Sequence, residues 1–371
     1  MVERIAEVRP RAIASGLAVI DLGQGTPVDE TPAPIRDALS NAGDAPGYPT
    51  AHGTDDLRSA FASWASRRIG AAIDPRDVVP TIGSKELIAL LPTLLGLGAA
   101  DTVVIPHLAY PTYRVGADLA SCRVVVSDSL LALGPARVSI VWVNTPSNPT
   151  GQVLPPEHLH KMVQWARDRG SLLVSDECYI ELAPTGHRPH SVLHPDVSGG
   201  SFDNVLALHS LSKTYSMAGY RCGFVSGDQG VVRRLLQRRR DLGLLVPTPV
   251  QAAGAAALSD DSLAALARKR FQSRREVLAA ALRQRGFVVD DDQAGLFVWA
   301  SLDEPCDVTV GRLADAGIVV APGDFYGALG GRHIRLSLTA SDSQVDEAAA
   351  RIAELTWGWA LGSPERLVCE P

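Results

Sequence analysis

Short apolar runs rich in β-branched residues recur along much of the chain, and amphipathic stretches follow them. Compact apolar runs of this length are typical of strands buried on both faces of a parallel sheet. They predict strands at Thr102 to Pro106, Val138 to Val143, Ser171 to Ser175 and Val205 to His209. The alternation of strand and helix indicates an α/β fold.

Three amphipathic stretches between these runs predict helices, beginning after Ser84, after Pro155 and after Gly230, and glycines mark their ends. Parallel strands require crossover connections of this kind. The sequence therefore supplies both the strands and the covering helices of a large domain.

The pattern changes after about residue 245, where a long helix rich in alanine and arginine is predicted from Ser262 to Arg285. Strands are predicted beyond it at Gly295 to Ala300 and His333 to Ser337. We interpret residues 41–243 as a large domain and residues 244–371 as a small domain. Residues 1–40 contain the turn-rich stretch DLGQGTPVDETPAPI and are expected to pack with the small domain.

Composition and charge exclude several classes of protein. The chain has 371 residues, 46% of them hydrophobic, which is enough for two domains with buried cores. The net charge of -6 and the absence of a basic block beyond Arg238 to Arg240 argue against a nucleic-acid partner. No stretch reaches the roughly 18 apolar residues of a membrane helix, and the charged start MVERIAEVRPRAIASG has no signal-like apolar region. We expect a cytoplasmic protein.

The five cysteines are scattered, odd in number and never spaced as CxxC. This pattern is not typical of a disulfide framework or a zinc site, so we expect buried thiols and no metal.

The segment SLSKTYSMAGYRCG, residues 210–223, follows the predicted strand that ends at His209. A lysine attacks a carbonyl only when burial or a neighbouring cation lowers its pKa, and Lys213 stands where a strand leads into a loop. Ser210 and Arg221 lie close along the chain and suit an anionic phosphate. A single lysine is usually surface charge, but this combination favours a functional role.

Two further segments carry candidate chemistry. Gly83, Ser84 and Lys85 open a predicted helix, where backbone N–H groups and the helix dipole favour a phosphate, although Gly-Ser also serves as a simple cap. Asp176 ends a buried strand, where a carboxylate is costly without a partner. Asp176 is either a functional acid or a helix N-cap.

The segment around Lys213, together with NTPSNPTG at residues 144–151 and SDECY at residues 175–179, resembles the class I and II aminotransferases, which are fold-type I pyridoxal-phosphate enzymes. NTPSNPTG read alone is equally typical of a proline-rich turn. The resemblance implies a large mixed, mostly parallel seven-stranded sheet domain and a smaller α+β domain. It implies pyridoxal 5'-phosphate as cofactor, held by Lys213 as a Schiff base.

The resemblance also implies roles for individual residues. Asp176 would keep the cofactor's ring nitrogen protonated, and Asn148 and Tyr179 would hydrogen-bond its phenolic oxygen. Tyr110, in PHLAYPTY, would stack on the ring. The catalytic residues would thus be Lys213, Asp176 and Tyr179.

Three more residues have counterparts on the substrate side and at the subunit interface. Arg335, in HIRLS, would bind the substrate's α-carboxylate, although an arginine on an edge strand can also simply reach water. Gly25, in GQGTP, would let the backbone approach the substrate. Tyr48, in PGYP, would reach a neighbouring subunit's phosphate site, which makes a homodimer the expected assembly. The family usually has an aliphatic residue where this chain has Cys222.

Within the family, stretches such as APGYPTAHGTDDLR, HSLSKTYSMAGYRCGFVSGD and APGDFYG resemble the actinobacterial-type N-succinyldiaminopimelate aminotransferases. This resemblance implies amino transfer between glutamate and N-succinyl-2-amino-6-ketopimelate, in lysine and diaminopimelate biosynthesis. Such a long, doubly anionic acceptor needs a second cation, and Lys85, Arg114 and Arg240 are candidates. Tyr215, near Lys213, departs from the subgroup and is expected to leave a bulky ring close to the site.

Other functions stay open. An aminotransferase of aspartate or aromatic amino acids, or a C–S lyase, would use the same core residues. A cofactor-sensing regulator would normally carry a DNA-binding segment, and none fits before Asp21. A nicotinamide enzyme is disfavoured because no GxGxxG follows a predicted strand.

Overall fold

The structure is a computed structural model and describes residues 2–184, 186, 188–290 and 294–355. The tail after Ala360, whose order the sequence left open, and the end of the predicted small domain lie outside these residues. The strands in the described part are β1 Ile20–Asp21, β2 Val78–Thr81, β3 Thr102–Ile105, β4 Arg123–Val126, β5 Ile140–Asn144, β6 Leu172–Asp176, β7 Val205–Ser210, β8 Gly223–Gly227, β9 Val288–Val289, β10 Phe297–Ser301, β11 Ile318–Val319, β12 Ala321–Pro322 and β13 His333–Ser337.

Helices connect and cover these strands. They are α1 Val2–Ala14, α2 Ala33–Asn41, α3 Asp55–Ile69, α4 Ser84–Leu95, α5 Thr112–Leu119, α6 Pro156–Arg169, α7 Pro195–Ser198, α8 Gln229–Asp241, α9 Thr248–Ser259, α10 Asp261–Gln284, α11 Cys306–Asp315 and α12 Asp342–Glu354. None of these helices is long and apolar enough to cross a membrane.

Seven strands form the large sheet, in the order β2-β8-β7-β6-β5-β3-β4. Strand β8 runs antiparallel to both of its neighbours, and the other pairs are parallel. The predicted mixed, mostly parallel seven-stranded sheet is therefore confirmed. The carboxyl ends of β5, β6 and β7 lie side by side at one edge, where open α/β sheets bind their ligands.

Both faces of this sheet are covered. One apolar cluster joins β5, β6 and β7 to α3, α6 and α9, and it includes Leu57, Leu159 and Ala253. A second cluster covers the opposite face with α4, α5 and α8, and it includes Leu87 and Tyr113. Burial on both faces explains why the central strands are continuous apolar runs.

A smaller antiparallel sheet, in the order β12-β13-β10-β9, packs with α10, α11 and α12. Strand β1, from the N-terminal segment, pairs in parallel with β11, so this segment lies beside the small sheet. The domain boundaries at residues 40 and 243 stay predictions.

The predicted elements agree with the observed ones to within about two residues, and the differences have local causes. Helix α8 begins at Gln229 because the Asp228 carboxylate accepts a hydrogen bond from the Val231 N–H, 2.9 Å away, and so caps the helix. Strand β5 continues to Asn144, one residue beyond the predicted end. The sequence did not predict helices α1, α2, α3, α5, α7, α9, α11 and α12, or strands β1, β2, β4, β8, β9, β11 and β12.

Candidate active site

Three neighbouring strands end in polar residues at the same edge of the large sheet: Asn144 on β5, Asp176 on β6 and Ser210 on β7. Asn144 is directly opposite Asp176 in the parallel register. A cavity of about 210 Å³ opens at this edge. Of the residues predicted for the site, its lining includes Gly25, Ser84, Lys85, Tyr110, Asn148, Asp176, Tyr179, Ser210, Lys213, Arg221 and Arg335.

Lys213 lies in the loop after β7, and its Nζ donates a hydrogen bond to the carbonyl of Gly25. Burial lowers the pKa of Lys213 from 10.5 to about 8, and the charges of Arg335 and Arg221 push it in the same direction, against an opposing effect of Cys178. At pH 7 about a tenth of an amine with this pKa is neutral, roughly 300-fold more than for a free lysine. The arrangement therefore supplies the nucleophilic lysine that the sequence predicts.

The predicted phosphate cradle lies at the first turn of α4. The N-cap Gly83 has φ 70° and ψ 159°, and no side chain caps the helix. The first two residues of the helix, Ser84 and Lys85, line the cavity, so the uncapped first turn lies at its edge. A Cβ on Gly83 would overlap Arg221 Nη2 and lie 2.7 Å from its Cζ. Only glycine lets the guanidinium lie against this turn.

The Arg221 guanidinium is held by the carbonyls of Ala218, 2.8 Å from Nη1, and Ile82, 3.3 Å from Nη2. Ser84 and Ser210 line the same end of the cavity. A helix N-terminus, a guanidinium and two hydroxyls form a donor set that fits a phosphate group. This arrangement fits the phosphate of pyridoxal phosphate.

A buried ion pair supports the same turn from below. Glu86, in the first turn of α4, accepts two hydrogen bonds from Arg239 Nη1, at 2.8 and 2.9 Å, and one from the Ile82 N–H, at 3.2 Å. The Arg239 side chain is fully buried. Because Arg239 neutralises Glu86, the carboxylate does not oppose an anion bound at the helix N-terminus.

Asp176 is buried and accepts hydrogen bonds from the Tyr113 hydroxyl, 2.8 Å away, and from the Cys178 N–H, 3.2 Å away. Burial raises the pKa of Asp176, whereas the hydrogen bonds from Cys178 and Tyr113 lower it. The N-cap of the following 3₁₀ turn is Tyr179, not Asp176. The alternative interpretation of Asp176 as a helix cap is therefore wrong.

The Arg335 side chain is almost completely buried. Its Nη1 donates to Asn148 Oδ1 at 2.9 Å, and its Nη2 donates to the Gly23 carbonyl at 2.7 Å. The Phe297 ring lies 3.8 Å from Cζ and the Tyr326 ring 5.0 Å from it, so two aromatic rings flank the guanidinium. Arg335 is not an edge-strand arginine reaching water, because β13 lies between β12 and β10.

Asn148 and Tyr179 both line the cavity beside Lys213. The Asn148 N–H donates to Asn144 Oδ1 at 2.7 Å, which fixes the turn, and its Oδ1 is engaged by Arg335. Its amide nitrogen is the remaining donor for a cofactor oxygen. Tyr110 also lines the cavity and meets Tyr113 edge to face, with ring centroids 5.9 Å apart.

The other predicted residues lie elsewhere. Tyr48 is 99% exposed and is not among the cavity-lining residues of this chain, and its role in a neighbouring subunit stays a prediction. Of the three cations considered for a distal acid, Lys85 lines the cavity, whereas Arg114 and Arg240 are exposed and do not.

The expectation that Tyr215 leaves a bulky ring close to the site is wrong. Tyr215 is buried, is not among the cavity-lining residues, and donates its hydroxyl to Glu181 Oε2 at 2.9 Å. Arg68 binds the other oxygen of the same carboxylate at 3.0 Å. The hydrogen bond to the buried Glu181 carboxylate holds the Tyr215 ring outside the cavity that Lys213 lines.

Sequence reasoning missed several residues of the site: Tyr113, Asn144, Cys178, Phe297, Phe325 and Tyr326. Tyr113 stands three residues after Tyr110 in YPTY, and Phe325 with Tyr326 belongs to APGDFYG, so their segments were noted without their roles. Phe297 carried no separate signal, because an aromatic residue in a strand is usually core.

Comparisons with known proteins show the family of the chain. The model of the aminotransferase class I and II family matches residues 18–352. The 4-dedimethylamino-4-oxo-anhydrotetracycline transaminase of Streptomyces rimosus is 51% identical and covers 93% of this chain and 96% of its own length. A probable aminotransferase of Mycobacterium tuberculosis is 50% identical and covers 94% of this chain and 84% of its own.

Among solved structures, the N-succinyldiaminopimelate aminotransferase of Mycobacterium tuberculosis superposes with a TM-score of 0.84 at 25% identity. The superposition covers 94% of this chain and 96% of that protein.

Proposed function

This chain belongs to the class I and II aminotransferases and is a pyridoxal-phosphate-dependent enzyme, and we propose that it moves an amino group from glutamate to N-succinyl-2-amino-6-ketopimelate. The observation that carries the amino-transfer chemistry is Lys213, an amine whose pKa falls to about 8, between a phosphate cradle and a fixed carboxylate-binding arginine.

The residues described above would hold the cofactor at three points. The α4 N-terminus with Ser84, Ser210 and Arg221 binds the phosphate, and Lys85 adds positive charge at its edge. Asp176 would keep the ring nitrogen protonated, and Tyr110 would stack on the ring. Bound pyridoxal phosphate supplies an electron sink for negative charge at the substrate's Cα and a carrier for the amino group.

Lys213 acts twice in this proposal. Its Nζ would hold the cofactor's aldehyde carbon until a substrate amine takes its place. The freed Nζ then acts as a general base that takes the proton from the substrate's Cα, and afterwards as a general acid that donates this proton again. A pKa of about 8 suits both tasks, because the amine can give and take a proton near neutral pH.

The substrate is oriented by Arg335, whose forked donors match the α-carboxylate. Asn148 and Gly23 already hold the guanidinium, so little ordering is needed when the substrate binds. Asn148 and Tyr179 would donate hydrogen bonds to the phenolic oxygen, and Gly25 would let the backbone approach the substrate closely. Tyr48 of each subunit reaches the neighbour's phosphate site in a homodimer.

The succinylated acceptor is supported by Lys85, the candidate second cation at the cavity, and by the resemblance to N-succinyldiaminopimelate aminotransferases. A distal carboxylate of the acceptor would bind the Lys85 ammonium. The same cation also lies beside the phosphate cradle.

A second candidate acceptor is a ketone on an apolar ring system. It is favoured by the aromatic wall of Phe297, Phe325 and Tyr326, and by the 51% identity to a transaminase named for an anhydrotetracycline ketone. Flat apolar rings stack well on such side chains.

Steady-state rates with glutamate as donor would distinguish between the two candidate acceptors. We expect kcat/KM to be higher for the succinylated acceptor and to fall about 10-fold in Lys85→Met at saturating cofactor, since a hydrogen bond to a charged group contributes roughly 1.5–3 kcal/mol. The exposed Arg240→Met is the matched control. A preference for the ring ketone, unaffected by Lys85→Met, would favour the second candidate.

A third measurement separates amino transfer from C–S cleavage. We expect a keto acid and pyridoxamine phosphate from glutamate, and no thiol from cystathionine. Release of thiol without amino transfer would refute the proposed reaction class.

A further inference from the structure

Tyr113 is a fully buried tyrosine that does not line the cavity but contacts the carboxylate at its base. It lies in the first turn of α5, and its hydroxyl donates to Asp176 Oδ2 at 2.8 Å. A buried tyrosine hydroxyl needs a hydrogen-bond partner, and here that partner is the candidate acid. The contact joins residues that are 63 positions apart in the sequence.

The direction of this hydrogen bond depends on charge. An ionised carboxylate only accepts hydrogen bonds, so the phenol must donate. Burial raises the pKa of Tyr113 well above its ordinary value, and the charge of Asp176 raises it further. Tyr113 therefore stays protonated throughout the range in which Asp176 titrates, and it donates whenever Asp176 is ionised.

The hydrogen bond from Tyr113 stabilises the ionised form of Asp176, whereas burial favours the neutral form. Desolvation raises the pKa of Asp176, and hydrogen bonds from Cys178 and Tyr113 oppose that effect. Cys178 also has a second hydrogen-bond partner, because its Sγ donates to Ser84 Oγ, 3.0 Å away in the phosphate cradle. Within the part of the chain that the structure describes, the Tyr113 hydroxyl donates to Asp176 and to no second acceptor.

The Trp142 ring stacks on one face of the Tyr113 ring, with centroids 4.7 Å apart and planes 15° from parallel. Trp142 is on β5, two residues before Asn144, which pairs with Asp176. Trp142 and Asn144 therefore share one face of the sheet. The stack fixes where the hydroxyl can point.

We propose that Tyr113 is a positioning residue that keeps the Asp176 carboxylate ionised and turned toward the cofactor's ring nitrogen. This inference rests on the proposed role of Asp176. It adds a residue that contacts neither substrate nor cofactor but controls the acid through which the electron sink works.

The test compares Tyr113→Phe, which keeps the ring and its stack but removes the hydroxyl, with Tyr215→Phe. Tyr215 is a matched control because it is also buried and also donates to a carboxylate, Glu181, away from the cavity. The infrared carboxyl band of the cofactor-free protein, assigned by its loss in Asp176→Asn, reports the ionisation of Asp176 as pH is varied.

We expect Tyr113→Phe to raise the proton affinity of Asp176 by about 10- to 100-fold, the range for one hydrogen bond to a charged group. In the loaded enzyme, cofactor affinity and kcat should both fall, whereas KM for glutamate should change little because Arg335 is intact. Tyr215→Phe should leave the Asp176 band in place. Trp142→Phe, which keeps the hydroxyl but loosens the ring, should give a smaller shift of the same sign and serves if Tyr113→Phe does not fold.

Two outcomes are distinguishable failures. If Asp176→Asn loses cofactor affinity and kcat but Tyr113→Phe matches the wild type in all readouts, the inference about Tyr113 is wrong and the proposed function stands. If Asp176→Asn itself keeps wild-type affinity and kcat, the proposed role of Asp176 fails and the inference fails with it.

Discussion

Replacing Gly83 with alanine should weaken cofactor binding and should also lower the stability of the cofactor-free protein. The new Cβ would lie 2.7 Å from Arg221 Cζ and 3.0 Å from Nη1, closer than carbon and nitrogen can approach, so the guanidinium must move. It would leave the carbonyls of Ala218 and Ile82 and lose its alignment with the phosphate. The backbone angles of Gly83, φ 70° and ψ 159°, are also poorly accessible to alanine.

The two effects have separate magnitudes. Loss of one charge-assisted hydrogen bond to the phosphate, roughly 1.5–3 kcal/mol, corresponds to an increase of about 10- to 150-fold in the cofactor's Kd. The strained backbone should lower the free energy of unfolding of the cofactor-free protein by about 1–3 kcal/mol.

Equilibrium dialysis gives the Kd, and urea unfolding of the cofactor-free protein gives the stability. Gly219→Ala is the matched control, because Gly219 is exposed in the same loop as Arg221 and a Cβ there meets no atom within 4 Å. A Gly83→Ala protein that binds the cofactor as tightly as Gly219→Ala would refute the assignment of Arg221 and the α4 N-terminus to the phosphate.

Three further predictions address the rest of the site. The rate at which the cofactor-free protein captures an aldehyde should rise with pH and level off above about 8, since only the neutral Lys213 amine attacks; levelling off near 10.5, as for free lysine, would contradict its lowered pKa. Arg335→Lys keeps the charge but loses the fork, so kcat/KM for glutamate should fall about 30-fold or more with little change in cofactor Kd; equal losses in both would indicate a general disturbance. Gly25→Ala places a Cβ 2.9 Å from Phe297 Cε1 and should raise KM for glutamate about 5-fold or more by displacing the ring that flanks the arginine; an unchanged KM would show that the ring adjusts freely.

The sequence predicts which residues meet at the cavity edge of the sheet, because each strand there ends in a short motif whose chemistry is local. Lys213, Asp176 and Asn148 follow buried strands, and parallel strands bring such ends together. The register between β5 and β6 then places Asn144 beside Asp176 without any further information.

The partners of these residues could not be predicted, since they come from distant segments. Tyr113 reaches Asp176 only through the packing of α5 on the sheet, and nothing in YPTY distinguishes a core tyrosine from a donor. The rings that flank Arg335 come from Phe297 and Tyr326, and their approach depends on how the small sheet folds. The position of Tyr215 was misjudged because proximity in sequence does not fix the direction of a side chain.

The buried pair of Arg239 and Glu86 restricts how this sequence can diverge over generations. Removing either partner leaves an uncompensated buried charge, which costs about 3–5 kcal/mol, whereas replacing both with apolar residues of similar volume is often neutral. A lineage that changes one position first passes through a destabilised intermediate, so the two positions should covary although they lie 153 residues apart. A chimera that takes α8 from a relative should therefore take the first turn of α4 as well.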